Sequence, residues 1–92
     1  MRRTAANLRY HQLIGLRARV LEYPDPQLRG VEGRVIDETL KTLVLELDNG
    51  KRIRVLKLNA TFEFLLPGGR PVIIRGDEII GRPWERVKEV LR

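Results

Sequence analysis

Apolar and polar residues alternate with a period of two through most of this chain, and each alternating run is short and ends at glycine or proline. That period suits a strand, whose successive side chains point to opposite faces, and not a helix, which repeats every 3.6 residues. Leu16, Ala18 and Val20 alternate with Arg17, Arg19 and Leu21. Tyr23-Pro24-Asp25-Pro26-Gln27 ends that run, because two prolines cannot join a ladder. Residues 31–38 read as the next strand, and Gly33 within it marks a bend or bulge. Phe62, Phe64 and Leu66 alternate with Thr61, Glu63 and Leu65, and Pro67-Gly68-Gly69-Arg70-Pro71 then turns the chain. Strands at 72–75 and 78–81 are expected around Arg75-Gly76-Asp77. Many short strands with such turns predict a mostly β protein: a small, closed, strongly bent antiparallel barrel of about six strands, closed so that no edge is left to aggregate.

Short helices are expected at both ends. Thr4 can cap a helix over 4–14 that Gly15 ends. Pro83 suits a first helical position, and Trp84, Val87 and Leu91 follow on one face. With 92 residues there is room for a single domain: 1–15 N-terminal tail and helix, 16–82 barrel, 83–92 C-terminal helix.

The hairpin over 42–57 can be assigned a register. A two-residue Asn49-Gly50 turn would set Leu45 opposite Arg54 and Leu47 opposite Arg52, core against charge. A three-residue Asp48-Asn49-Gly50 loop sets Leu45 opposite Ile53, Leu43 opposite Val55 and Glu46 opposite Arg52. Directly opposed residues share a face, so the second register is preferred. It needs a left-handed residue, for which Gly50 is suited.

The chain has 18 Lys plus Arg against 12 acids, a net charge of +6, and 14 of the cations are arginine. Such an excess favours polyanions, and the guanidinium fork matches phosphate. Arg17, Arg19, Arg52 and Arg54 alternate opposite core residues and predict one outward basic surface. Arg34, Lys51, Lys57, Arg70 and Arg75, near strand ends and turns, and Arg9 in the N-terminal segment join them as candidate RNA contacts. A solvated face balanced by Glu32, Glu46 and Glu63 is the competing reading. Aromatic residues are few, and Phe62 and Phe64 alternate as core, which favours contact with folded RNA through shape and phosphate over base stacking.

Catalysis by this chain alone is not expected. One His, no Ser and no Cys exclude Ser-His and Cys-His pairs, disulfides and Cys-based zinc sites. Asp37-Glu38 and Asp77-Glu78 are adjacent acids, which on a strand point to opposite faces and read as solvated turn charges. An autonomous metal-dependent nuclease using Asp37 and Asp77 is a third reading. No apolar run spans a membrane and no signal peptide is evident, so a cytoplasmic location is expected.

The order and spacing of several motifs resemble the archaeal ribonuclease P protein component 1 family. They are His11-Gln12-Leu13-Ile14-Gly15-Leu16; Gly30-x-x-Gly33-x-Val35-x-Asp37-Glu38-Thr39-x-x-Thr42-Leu43; Phe62-x-Phe64-x-Leu66-Pro67; and Gly81-Arg82-Pro83-x-x-Arg86. The resemblance covers roughly residues 7–88; Gln12 stands where a Glu is common, and Trp84 where a small or acidic residue is usual. It implies an Sm-like barrel that serves as an RNA-binding subunit of ribonuclease P, the ribonucleoprotein endonuclease that removes 5′ leaders from precursor tRNA. It further implies that the RNA component supplies the chemistry with bound Mg2+, that this chain holds no cofactor or metal, and that a small zinc-ribbon subunit pairs with it. Leu8, His11, Leu13 and Ile14 are the candidate protein-partner interface. The alternative is a ring-forming Sm-like protein that binds uridine-rich single-stranded RNA through the Arg75-Gly76 turn.

Overall fold

The computed structural model describes residues 13–81. Six short strands follow one another: β1 (Arg17–Glu22), β2 (Glu32–Glu38), β3 (Thr42–Glu46), β4 (Arg52–Leu56), β5 (Thr61–Leu65) and β6 (Pro71–Arg75). They form one antiparallel sheet in the order β4-β3-β2-β1-β5-β6. Two expectations need correction. The hydrogen-bonded order is open, with β4 and β6 as edges and no ladder between them, so the barrel is not closed. Residues 78–81 are not a strand: the chain leaves β6 through a 3-10 turn, Gly76–Ile79. The predicted helices fall on 4–12 and 83–92, outside the described residues; at the end of the first, Ile14 and Gly15 form a turn.

The alternation read from the sequence places the core. Leu16, Ala18, Val20, Val35, Leu43, Leu45, Val55, Phe62, Phe64 and Ile74 all point inward and are buried. Each large apolar side chain so buried contributes about 1.5–3 kcal/mol by area transfer. Phe62 and Phe64 pack with ring centroids 5.8 Å apart in a tilted arrangement. The β3–β4 hairpin has the predicted register, with Leu45 opposite Ile53, Leu43 opposite Val55 and Glu46 opposite Arg52. Gly50 carries the turn at φ +86°.

The sheet curls where the ladder slips. β1 shifts register between Val20 and Glu22, and β2 between Val35 and Asp37. The predicted irregularity in β2 therefore exists but sits beyond Gly33. Gly33 serves another purpose: a Cβ there would lie 2.5 Å from the Glu46 carbonyl oxygen, so β2 and β3 can approach only without a side chain. Gly76 is tighter still, because a Cβ would fall 1.7 Å from the Lys57 carbonyl oxygen. Its N–H donates to the Ala60 carbonyl at 2.7 Å, pinning the end of β6 to the β4–β5 connection.

That connection also holds a buried charge. Lys57 has no exposed surface, and its Nζ meets Glu38 Oε2 at 2.7 Å with both side chains fully covered. The ammonium also donates to the carbonyls of Thr39 (2.8 Å), Leu40 (3.3 Å) and Gly81 (2.9 Å). Three loops are thereby tied to one cation, which offsets its desolvation by charge pairing and full hydrogen bonding.

Candidate nucleic-acid interface

The outer face of the sheet is built by the same alternation that fills the core. Across it, the registers align Arg52, Glu46, Arg34, Arg17, Leu65 and Pro71 in one row over all six strands. Neighbouring strands lie about 4.8 Å apart, so Arg52 and Arg17, three gaps apart, have backbones about 14 Å from one another. Lys51 and Arg70 stand one residue beyond the two ends of this row, and Arg19 and Arg54 lie one step further along β1 and β4. The predicted outward placement of Arg17, Arg19, Arg52 and Arg54 is thus what the structure shows.

Their charges are not equally free. Arg17 Nε donates to Glu32 Oε2 at 2.8 Å, and its Nη2 reaches Asp48 at 3.0 Å. Arg19 donates to Glu32 Oε1 at 3.1 and 3.2 Å. Arg52 Nε meets Glu46 Oε2 at 3.2 Å. The Glu32 carboxyl is held below the usual carboxylate range by its hydrogen bonds from Arg17 and then Arg19. Hydrogen bonding to Glu32, then to Asp48, raises the Arg17 guanidinium above its ordinary value. By contrast Arg34, Lys51, Arg54 and Arg70 are exposed and make no ion pair among the described residues. The face therefore mixes an ordered arginine–carboxylate lattice with unneutralised cations. Seven cations against Glu32, Asp37, Glu46, Asp48 and Glu63 leave two positive charges in excess.

Other candidates from the sequence are placed elsewhere. Lys57 is the buried partner of Glu38 and presents nothing to RNA. Its own strand phase held the signal: Ile53, Val55 and Lys57 continue one inward series. Glu38 is buried rather than a solvated turn charge, because the β2 register shift carries it inward. Arg75 lies at the far end of β6, opposite Thr61, beside Asp77 (3.9 Å) and Glu78 (3.7 Å). Leu13 is fully buried in the core and offers no surface to a partner, while Ile14 is half-buried against that core. Arg9, Leu8 and His11 lie outside the described residues. Asp37 accepts the N–H of Glu38 at 2.9 Å. Among the described residues no group of three or more His, Cys, Asp or Glu side chains gathers to hold a metal ion. No helix among them is long and apolar enough to cross a membrane.

A curled, six-stranded antiparallel sheet with an arginine-rich outer band is a basic β module, a rigid surface that presents ordered positive charge. The family model for Ribonuclease P/MRP, subunit p29 matches residues 6–89, and the chain belongs to that family. It is 55% identical over the full length of both chains to Ribonuclease P protein component 1 of Desulfurococcus amylolyticus. It is 42% identical to the protein of that name from Methanothermobacter thermautotrophicus, covering 97% of this chain and 96% of the relative. A solved structure of a homologue of the human RNase P protein Rpp29 superposes with a TM-score of 0.61 at 43% identity, covering 83% of this chain and 97% of that one.

Proposed function

We propose that this protein acts in ribonuclease P as an RNA-binding subunit that supports the RNA component and is not itself catalytic. Membership of the p29 family supports the subunit role. The single observation that carries the RNA contact is the set of unneutralised cations, Arg34, Lys51 and Arg70, around the row that Arg17, Arg19 and Arg52 order. A phosphate backbone laid on this band replaces condensed counterions with fixed guanidinium charges, and the release of those counterions drives binding without reading bases. On this reading the chain is a single Sm-like domain working in the cytoplasm. The chemistry of 5′-leader removal from precursor tRNA belongs to Mg2+ held by the RNA component, and a zinc-ribbon protein subunit binds near Leu8, His11 and Ile14.

Titration of the ribonuclease P RNA at several salt concentrations tests the band. Arg34→Ala with Arg70→Ala removes two unpaired cations. Each phosphate contact contributes about 0.7–0.9 to the slope of log affinity against log salt, so the double variant is expected to flatten it by about 1.5. An unchanged slope places the RNA on another surface. Mass in solution separates this reading from the ring-forming Sm-like alternative, which requires a hexamer or heptamer.

A further inference from the structure

The open side of the sheet is more specific than an unfinished barrel. Leu47 N–H donates to the Lys51 carbonyl at 2.8 Å and Lys57 N–H to the Lys41 carbonyl at 2.8 Å. In an antiparallel ladder, hydrogen-bonded and non-hydrogen-bonded pairs alternate. The Leu45–Ile53 and Leu43–Val55 pairs are therefore bonded, and the backbone groups of Arg52, Arg54 and Leu56 point away from β3. The outward Leu56 N–H is met by the Tyr23 hydroxyl at 3.1 Å. Those of Arg52 and Arg54 have no partner among the described residues. Beside this short edge, Leu56 is 55%, Leu58 58% and Ile80 38% exposed. With Lys41 they line an open, apolar groove of about 370 Å³.

We propose that the β4 edge and this groove dock an extended segment of a protein partner by strand addition. The side-chain order on β4 describes the segment. Arg52, Arg54 and Leu56 share the outer face, so the added strand carries acidic residues beside the arginines and an apolar residue beside Leu56, which continues into the groove. Arg54 makes no ion pair among the described residues, so an acid there is matched by charge. RNA satisfies this surface poorly, since phosphates gain nothing from three leucine and isoleucine side chains. Main-chain pairing supplies affinity and the alternating side chains supply selectivity, while covering the edge removes an aggregation hazard. The proposal rests on the ribonuclease P reading above, because the partner is sought among that complex's proteins.

Hydrogen exchange of the full chain, followed residue by residue, tests it in three states: alone, with the protein subunits of ribonuclease P and no RNA, and with the RNA alone. The expected result is at least tenfold slower exchange of the Arg52 and Arg54 amides only when the proteins are added. Leu58→Asp, at an exposed position where folding is tolerant, is expected to abolish that protection and to weaken protein assembly at least tenfold. Protection by RNA alone would assign the edge to RNA. Protection already present in the free chain would assign it to another segment of this chain, or, where it grows with concentration, to a second copy. Either result overturns the proposal, as does entry of the chain into the complex with both amides unchanged or with Leu58→Asp without effect. Failure of the chain to enter the complex at all overturns instead the ribonuclease P reading.

Discussion

Replacing Lys57 by Met tests how much of this fold depends on one buried cation. The substitution keeps the length and apolar stem but removes the charge. Glu38 would then lie covered with its 2.7 Å cation gone, and the carbonyls of Thr39, Leu40 and Gly81 would lose a shared donor. Breaking a buried pair from one side costs about 3–5 kcal/mol. A domain of this length has a total stability of about 5–14 kcal/mol, so the loss is about a fifth of it or more. At roughly 4–8 °C per kcal/mol for a chain of this size, 4 kcal/mol lowers Tm by about 20 °C. Urea unfolding by circular dichroism reads the change in ΔG directly. Lys57→Met with Glu38→Leu is expected to recover part of the loss, because both charges leave together. It should remain about 1–3 kcal/mol below the natural chain, the cost of unsatisfied buried carbonyls. A cost below 1 kcal/mol for the single variant, or no recovery in the double, would refute the role given to the pair.

Two glycines should fail for opposite reasons. Gly76→Ala meets the Lys57 carbonyl head-on and is expected to cost about 3 kcal/mol or more in urea unfolding, in the range of overpacking. Gly50→Ala has open space around it but sits at φ +86°, so about 1–2 kcal/mol of backbone strain is expected, much of it relieved by Asn. Glu32 sets an acid limb. Its folded value is depressed, so its contribution is present above the ordinary carboxylate value of 4.5 and is lost as pH falls below that through the folded value. Glu32→Gln should therefore flatten the decline in stability below about pH 4.5 while leaving the alkaline side unchanged.

Strand phase was legible because a period of two survives wherever pairing is regular. It placed the core of β1, β3, β4 and β5, and the hairpin register followed from matching Leu45 to Ile53. It was lost where the ladder slips. The shift between Val35 and Asp37 turns Glu38 inward, which no alternation count reveals. Lys57 was readable from its place after Ile53 and Val55, but a cation on an inward phase is easily taken for a strand-end charge. Leu56 and Leu58 continue the outward phase of Arg52 and Arg54, so the apolar groove was also written in the strand. Closure was not. Whether β4 meets β6 depends on how tightly the sheet curls, and that depends on bulges and on approaches such as that of Gly76 to Lys57, which act between segments distant in sequence.

The remaining question is whether an arginine already held by a carboxylate still contributes to RNA binding. Net charge counts Arg52 and Arg34 alike, but their surroundings differ: Arg52 is bonded to Glu46 at 3.2 Å, whereas Arg34 has no ion pair among the described residues. Arg52→Gln with Glu46→Gln deletes the pair without altering net charge. Exposed pairs contribute little to stability, about 0–1 kcal/mol, so the fold should be unaffected. If Arg52 serves mainly to order the sheet surface, RNA affinity and its salt slope stay as they were. If its guanidinium reaches a phosphate despite Glu46, the slope falls by about 0.7–0.9, as for loss of one unpaired cation. Equal slopes for the natural chain and the charge-neutral variant, beside the flatter slope of Arg34→Ala with Arg70→Ala, are the expected outcome. A fall in the charge-neutral variant of about half that seen for Arg34→Ala with Arg70→Ala would show that the lattice of ion pairs opens when RNA binds, and that the paired arginines belong to the interface on equal terms.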